Sequence, residues 1–451
     1  MNEKSPIYTL CDKVSMAALS LFALECVLGS SGRWLSFGSI SIRMVLFVLC
    51  FAVTLPNVIF QIRKTFSSPN VILALGLCLY LVLAAVIGFK SGNDPQFIKA
   101  DITSYLTLAL LPGFLATVSS SKRLSRLLEV VYYGSLALGV ITVAIHFYLA
   151  FANHNGINAI NDWLNDHAMG GLANLGTGVL RVYMRSQIFL QVGLMLGIRK
   201  IWTVSGYRRW LYFLAEGLLA YGCLMTYTRG FWMGFAISAV LLLILEPIHW
   251  KKYLSTVGVT LLVIIGLFLL SWLSYGRPAA AQEFVARFNP DLIAGIAPPT
   301  EQPPVDIPTE PDSPDANEAA VIIRQKSLAR LYELIGQKPI LGNGLGANLD
   351  GIRTDGKVEY MYHDTFMKLG LVGFALFCGV FFLPVIALGK RHIQRLKAGK
   401  DVAIDSPDME NSILLAAFLG VAITSYVNPF LINPMGILLV LLITVASKKT
   451  N

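Results

Sequence analysis

Long apolar runs dominate the chain, and short polar or basic segments separate them. A run of about 18 to 25 apolar residues is long enough to cross the hydrocarbon core of a membrane as a helix. Roughly twelve runs of that kind are predicted, at 14–31, 40–61, 69–90, 101–119, 125–152, 179–198, 209–227, 230–248, 253–274, 363–389, 410–428 and 431–447. The first run lacks an A-x-A cleavage site and another span follows it, so it reads as a span and not as a cleavable signal. The pattern predicts an all-α polytopic membrane protein with one integral membrane domain, 1–451.

Composition agrees with that pattern, because 55% of residues are hydrophobic and only 14% are charged. Basic residues cluster in alternate polar segments: Arg63/Lys64, Lys122/Arg123/Arg126, Arg199/Lys200/Arg208/Arg209, Lys251/Lys252, Lys390/Arg391/Arg395/Lys397/Lys400 and Lys448/Lys449. Short cytoplasmic loops retain Lys and Arg, so both termini are predicted to be cytoplasmic. The net charge of +9 then reflects this orientation and requires no nucleic-acid partner.

Metal and disulfide chemistry find little support in the sequence. The six cysteines are scattered without a C-x-x-C pair, which is typical of buried packing residues. The six histidines show no ligand spacing such as H-E-x-x-H. A mechanism without metal or cofactor is therefore expected.

Two predicted external loops interrupt the apolar pattern, at 153–178 and 275–362. The first contains no Lys or Arg, and two interpretations of it stay open: hydrogen bonding to a polar ligand, or an irregular surface loop. Its polar and aromatic candidates are Asp162, Trp163, Asp166 and His167. The second loop is Pro-rich from Ile296 to Pro314, which predicts an extended or mobile cover.

An amphipathic helix is predicted at about 316–337, because apolar residues recur there at helical spacing and Pro339 stops it. Such a helix would lie along the outer membrane interface. Its Arg330 has two interpretations: an anion-binding residue, or the partner of Glu333 in a solvated ion pair.

A glycine-rich segment, Pro339 to Ala347, follows this helix. No preceding strand or βαβ unit accompanies it, so a dinucleotide fingerprint is excluded. Glycines at 342, 344 and 346 instead predict a tight backbone turn that lies close to other helices or to a ligand.

Positive charges lie at the predicted outer ends of apolar runs, where they are costly and commonly functional. Arg185, Arg229 and His363 each lie at or just inside the start of such a run. Their placement predicts an anion-handling site at a membrane surface, although a lone His at a helix end is also commonly an interfacial residue. Asp364 adjoins His363, but adjacent helical residues do not face each other.

Three segments in this order carry a resemblance to a known family: YTRGFWMGF, RLYELIGQKPILGNGLGANL and YHDTFMKLGLVGF. Together with the large external loop, they resemble the O-antigen ligase and O-antigen polymerase superfamily of bacterial envelope glycosyltransferases, most closely the ligases. One departure is that His363 is followed by Asp364, where the family often has Asn. The role of that Asn is therefore in doubt here.

The resemblance implies a GT-C-like fold and a metal-independent, inverting transfer of glycan from undecaprenyl diphosphate. Arg229, Arg330 and, by position only, Arg185 would bind the diphosphate, because guanidinium groups stabilise developing phosphate charge. His363 would be the general base, since imidazole titrates near neutral pH. The predicted supporting residues are Arg324, Asp364, Arg181 and Tyr362, while Asp162, Asp166 and Glu359 remain alternative acids or bases.

The resulting function is that of an O-antigen ligase, which joins polysaccharide to lipid A-core on the periplasmic face of the bacterial inner membrane. Its partners would be the lipid-linked donor, the lipid A-core acceptor and membrane lipids. An O-antigen or exopolysaccharide polymerase with the same donor is the alternative. A polysaccharide transporter is disfavoured, because the large loop and the glycine-rich segment occur only in the second half of the chain.

Overall fold

The computed structural model describes residues 6–38, 40–151, 156–174, 179–275, 278–286, 314–349, 358–399 and 402–448. Its α-helices in the described residues are α1 (Pro6–Leu28), α2 (Ile42–Phe60), α3 (Ile62–Phe66), α4 (Pro69–Lys90), α5 (Pro95–Tyr105), α6 (Leu111–Thr117), α7 (Ser121–Phe151), α8 (Ile157–Asp166), α9 (Ile188–Thr203), α10 (Tyr207–Leu224), α11 (Arg229–Leu245), α12 (Trp250–Tyr275), α13 (Ala279–Ala286), α14 (Pro314–Gln337), α15 (Met361–Lys397), α16 (Pro407–Thr424) and α17 (Pro434–Ser447). Two short hairpins accompany them, β1 (Ser36–Phe37) with β2 (Ile40–Ser41) and β3 (Gly170–Asn174) with β4 (Leu180–Met184). The chain is an all-α polytopic membrane protein, as its apolar pattern predicts.

Among the described residues, six helical segments are long and apolar enough to cross a membrane: Ile42–Phe60, Pro69–Lys90, Pro95–Thr117, Ser121–Phe151, Pro247–Tyr275 and Met361–Lys397. Two shorter apolar helices are Arg229–Leu245 and Pro434–Ser447. The four remaining predicted runs form α1, α9, α10 and α16, which are not among these segments. Each predicted run therefore contains a helix.

The boundaries of two predicted runs differ from the structure. The run 101–119 is not one helix, because a 3₁₀ segment, Leu106–Leu110, separates α5 from α6. The run 179–198 begins as the strand β4, which pairs antiparallel with β3, and α9 begins only at Ile188. Alternate residues of β4 are buried, so its period is that of a strand. The prediction of one continuous span from 179 was wrong for this reason.

The two predicted external loops contain regular structure. Within 153–178 lie α8 and β3, and within 275–362 lie α13 and α14. A helix is present where the amphipathic helix was predicted: α14 begins two residues earlier than predicted and ends at the predicted Gln337. The predicted Pro-rich cover lies outside the described residues except for Pro314, the first residue of α14.

The centre of the bundle is formed by α9, α16 and α17, most of whose side chains are buried. Small residues let α11 approach α16 closely, since a Cβ atom added at Gly234 would collide with the backbone of Gly420 and the side chain of Thr424. Close contact through small residues is typical of helix pairs in membranes. This contact fixes the start of α11 beside the end of α16.

Helix α15 is broken at Gly370, where φ is 61° and ψ is −171°. The glycine-rich turn lies against this break, because the N–H of Leu371 donates to Pro339 O (2.8 Å) and the N–H of Gly344 donates to Lys368 O (3.0 Å). Gly344 has a φ of +84° and lies directly on the backbone of Gly88 in α4. The turn therefore meets other helices, which is one of its two predicted uses, and it satisfies backbone groups that the break exposes.

Candidate active site

His363 lies in the first turn of α15 and is surrounded by aromatic rings. Its Nε2 is 3.2 Å from the hydroxyl of Tyr332 on α14. The rings of Tyr360 and Tyr426 meet it edge-on, with centroids 6.1 and 5.8 Å away. Leu331, next to Tyr332, is fully buried and anchors α14 beside α15. The imidazole is thus held by residues from three parts of the chain while it stays half-exposed.

Arg229 is the first residue of α11, and its side chain is exposed. Within the described part of the chain, no hydrogen bond or ion pair to its guanidinium group is seen. The next residue, Gly230, accepts a hydrogen bond from Thr424 at the end of α16 (3.3 Å). Because Tyr426, two residues further on, contacts His363, the start of α11 and the start of α15 both lie at the C-terminal end of α16. We call this end the outer end; it carries α14 and is the side predicted to be periplasmic.

Two arginines of α14 form ion pairs. Arg330 Nη1 lies 2.6 Å from Glu333 Oε1, which is the i,i+3 pair that the sequence left as an alternative. Arg324 Nε lies 3.0 Å from Glu359 Oε2, so Glu359 does not stand free as an acid or base. Both pairs are largely solvated, where such contacts contribute about 0–1 kcal/mol. Their low energy leaves the guanidinium groups able to exchange partners with a bound anion.

Arg181 and Arg185 occupy different surroundings. Arg181 donates from Nη2 to Thr228 Oγ1 (3.0 Å), so it contacts the residue that immediately precedes Arg229. Arg185 lies in the turn between β4 and α9 and not at a helix start, with an exposed side chain; its backbone N–H donates to Met169 O (2.9 Å). Of these two residues, the structure brings the supporting candidate Arg181 beside Arg229.

Strained backbone accompanies these residues. Among the described residues, four non-glycine residues have positive φ: Ser30, Ala168, Tyr227 and Tyr360. Tyr227 precedes Arg229 by two residues, and Tyr360 precedes His363 by three. Positive φ is costly for residues with a Cβ atom, and such strain concentrates at functional sites. Two of the strained residues therefore lie in the chain segments around Arg229 and His363 that the sequence motifs also identify.

A charge triad of buried Lys368 and Asp364 with half-buried Asp101 begins at the residue that follows His363. Lys368 Nζ is 3.0 Å from Asp364 Oδ2 and 3.1 Å from Asp101 Oδ1 of α5. Asp101 also accepts the backbone N–H of the glycine-rich turn at Gly346 (2.8 Å). Asp364 therefore faces Lys368 and does not orient the imidazole of His363. The triad ties α5, the turn and the outer part of α15 together.

Sequence reasoning missed Lys368 and Asp101. Lys368 stood inside an apolar motif four residues after Asp364, a spacing that favours an ion pair on one helix face. That spacing was a usable signal. Nothing in the sequence connects Asp101 with them, because the contact spans 267 positions.

Tyr362 has a packing role in this structure. Its hydroxyl donates to Ala422 O of α16 (2.7 Å), and its ring lies against Phe377 and Phe382. These contacts hold α15 on α16 and keep the phenol away from the exposed surface beside His363. A supporting role for Tyr362 stays a prediction.

No group of three or more His, Cys, Asp or Glu side chains that could hold a metal ion occurs in the described ranges. The chemistry available at the outer end is that of guanidinium, imidazole and phenol groups. Such a set can bind an anion and accept a proton.

The fold and these groups define a polytopic membrane protein with an arginine and histidine site at one end of its helices. Residues 214–378 match the family model described as O-antigen ligase, and this segment contains Arg229, Arg330 and His363. The match supports the O-antigen ligase superfamily, as the three motifs predicted. It also supports an enzyme of the ligase or polymerase type, whose family implies lipid-linked glycan substrates. No curated protein matches the chain.

Proposed function

We propose that this protein is an O-antigen ligase that transfers polysaccharide from undecaprenyl diphosphate to lipid A-core. The observation that carries the proposal is the placement of Arg229 and His363 at the C-terminal end of the same helix, α16, inside the segment that matches the family. The outer end would face the periplasm of a bacterial inner membrane, with both termini in the cytoplasm. The distribution of basic segments supports this orientation.

Arg229 binds the diphosphate of the donor in this proposal. Its guanidinium group is exposed at a helix start and carries no ion pair within the described residues, so no internal partner must be displaced. The backbone N–H groups at the start of α11 add partial positive charge in the same place. As the glycosidic C1–O bond breaks, its electron pair stays on the diphosphate, and two parallel hydrogen bonds from one guanidinium group stabilise that charge.

Arg181 and Arg330 assist from two sides. Arg181 adjoins Arg229 through Thr228, and Arg330 lies on α14 near Tyr332, which contacts His363. An approaching diphosphate replaces Glu333 as the partner of Arg330. Arg185 lies further along the β4 turn and would contact the donor at a more distant position.

His363 accepts the proton of the acceptor hydroxyl. The proton moves to Nε2 as the acceptor oxygen attacks the anomeric carbon from the side opposite the diphosphate, which inverts the configuration there. The Tyr332 hydroxyl occupies hydrogen-bonding distance of Nε2 in this structure and marks the place of the acceptor hydroxyl. General-base catalysis of this kind contributes about 10²–10⁴-fold to rate.

The test is a reaction with purified protein in nanodiscs, given undecaprenyl diphosphate glycan and lipid A-core without added metal, nucleotide or energy source. Glycan on lipid A-core is the expected product. Arg229→Ala should lower kcat/KM by about 10²–10³-fold, the scale for losing one preorganised donor. Arg229→Lys should recover only part of it, because Lys cannot bind two oxygens in one plane.

Arg208→Ala is the matched control, because Arg208 is also exposed but lies in a predicted cytoplasmic segment at the other end of α10. It should transfer glycan as the wild type does. Lengthened undecaprenyl-linked glycan in place of modified lipid A-core would make the protein a polymerase and contradict the ligase proposal. Wild-type turnover by Arg229→Ala would contradict the role of Arg229.

A further inference from the structure

Helix α8 carries an exposed aromatic and acidic surface outside the segment that matches the family. Trp163 is 50% exposed there. The ring of His167 stacks on it, with centroids 4.7 Å apart and an angle of 27° between the planes. Asp162 and Asp166 flank Trp163 on the exposed face. We call Asp162, Trp163, Asp166 and His167 the α8 platform.

The platform is rigid because its opposite face is anchored. Leu164 and Ile157 are buried below it, and Asn161 Oδ1 accepts the backbone N–H of Leu172 in β3 (2.9 Å). His167 Nδ1 lies 2.8 Å from Trp163 O. A carbonyl oxygen only accepts, so Nδ1 carries the hydrogen and, in the neutral ring, Nε2 is left as an acceptor. The platform thus offers one aromatic surface with fixed polar groups around it.

We propose that the α8 platform binds a neutral sugar ring of the donor glycan. The C–H face of a pyranose packs against an aromatic ring, which combines apolar burial with attraction to the negative ring face. The surrounding hydroxyl groups then donate to the carboxylates of Asp162 and Asp166 and to His167 Nε2, and the Trp163 indole N–H donates in return. This inference rests on the proposed function, since it assigns a further subsite for the same donor.

The charges on the platform favour a neutral sugar over a membrane surface. Interfacial Trp residues that anchor a protein to anionic lipids are accompanied by Lys or Arg. The segment 153–178 has neither, and α8 carries two carboxylates that form no ion pair within the described ranges. Phosphate headgroups would be repelled by these carboxylates, whereas sugar hydroxyls would be bound by them.

The position of the platform favours the donor over the acceptor. Directly after His167, Ala168 and Met169 are held by hydrogen bonds from Ser31 and Ser30, and Met169 also accepts the N–H of Arg185. The strand β4 that precedes Arg185 carries Arg181, which reaches Thr228 beside Arg229. The platform is therefore linked to the arginines assigned to the diphosphate. His363, assigned to the acceptor, is instead contacted by Tyr332 of α14 and by Tyr426, which follows α16.

The test measures binding without any transfer reaction, so that its failure is separate from a failure of the proposed function. The probe is the oligosaccharide released by mild acid from the undecaprenyl-linked donor, titrated against the full chain in nanodiscs and followed by saturation-transfer NMR. Trp163→Ala should raise its Kd about fivefold to tenfold, the range of one aromatic contact. Trp163→Phe should stay within about twofold, because it keeps an aromatic face.

The matched control is Trp210→Ala, which removes another exposed Trp near the start of α10, at the end of that helix away from Arg229. It should leave Kd unchanged. An unchanged Kd for Trp163→Ala would overturn the proposal, and so would strong quenching of Trp163 fluorescence by brominated lipid acyl chains, which would place Trp163 in the bilayer. Weakened binding of the lipid A-core oligosaccharide alone would overturn the assignment to the donor.

In the transfer reaction, Trp163→Ala should raise KM for the donor about fivefold to tenfold while kcat stays the same, because the sugar contact is equal in the ground state and the transition state. A lower kcat with unchanged KM would contradict a binding subsite. The double variant Asp162→Asn with Asp166→Asn should weaken binding of the same oligosaccharide less than Trp163→Ala does. A larger effect than that of Trp163→Ala would show charge, and not stacking, to dominate and would overturn the stacking proposal.

Discussion

Replacement of Lys368 by Met should destabilise the protein strongly, because it leaves the buried carboxylate of Asp364 and the half-buried carboxylate of Asp101 without their shared cation. Lys368 and Asp364 are only 6% and 4% exposed, and the ammonium group lies between Asp364 and Asp101. At an effective dielectric constant of about 20, each contact near 3 Å has a gross attraction of about 5 kcal/mol. Desolvation of Lys368 and repulsion between the two carboxylates offset most of this. Loss of one partner from a buried ion pair costs about 3–5 kcal/mol net, and we expect that range here.

The order of related variants distinguishes this explanation from a simple loss of packing. Asp364→Asn introduces the residue that the family often has. It leaves the ion pair of Lys368 with Asp101, whose net charge is zero, so the loss of stability should be only about 1–2 kcal/mol. Lys338→Met is the control, because Lys338 is exposed and, among the described residues, its ammonium group bonds to Ser91 Oγ alone (3.0 Å); it should change stability by less than about 0.5 kcal/mol. Asp101→Asn added to Lys368→Met should recover stability by removing one uncompensated carboxylate.

The assay is thermal unfolding of the purified variants in one detergent, compared as shifts in apparent Tm. For Lys368→Met we expect a decrease of about 5 °C or more, and for Lys338→Met no measurable change. A Tm for Lys368→Met equal to that of the wild type would refute the reasoning. Equal decreases for Lys368→Met and Asp364→Asn would also refute it, because the account depends on the charge that remains.

Three further predictions concern the turn and the outer end. Gly344→Ala should lower Tm by several degrees, because its φ of +84° and the backbone of Gly88 leave no place for a Cβ atom, while Gly336→Ala, which faces open space, should leave Tm the same or slightly higher in the same scan. Arg330→Ala should lose about 2–4 kcal/mol of transition-state stabilisation, measured as a lower kcat/KM, whereas Glu333→Ala should leave kcat/KM unchanged. Equal losses of kcat/KM in steady-state kinetics would show that only their ion pair matters. Tyr332→Phe should remain folded and lower kcat by less than about tenfold, since it removes a hydrogen bond to His363 but no reacting group; a loss as large as that of His363→Ala would give Tyr332 a catalytic role.

The helices could be predicted from the sequence because the apolar runs have lengths that only membrane-spanning or fully buried helices need. The beginning of the sixth run could not be placed, because Leu180 to Met184 is apolar enough to extend a helix yet pairs with β3. The break of α15 at Gly370 was also hidden, since its cause is the distant turn at Pro339. Local composition predicts an element, while a tertiary contact decides where that element ends.

The sequence predicted those candidate site residues that lie within a recognisable motif. Arg229 and His363 were identified from charges at helix starts and from the resemblance, and the structure places both at one end. Arg185 was assigned to a helix start that the strand β4 removes. The partner of Lys368 could not be foreseen, because Asp101 comes from another helix. For the α8 platform, the sequence left two interpretations open, and the proposed sugar subsite adopts the first.

The measurement that tests the central proposal most directly is glycan transfer to lipid A-core by wild type and by His363→Ala across a range of pH. The proposal predicts transfer by the wild type with a rate that rises as an imidazole loses its proton, and a folded His363→Ala protein that binds donor but transfers at a rate at least about 10²-fold lower. His249→Ala, which removes a histidine from the segment between α11 and α12, should transfer normally. Transfer by His363→Ala at the wild-type rate, with the same pH profile, would contradict the account.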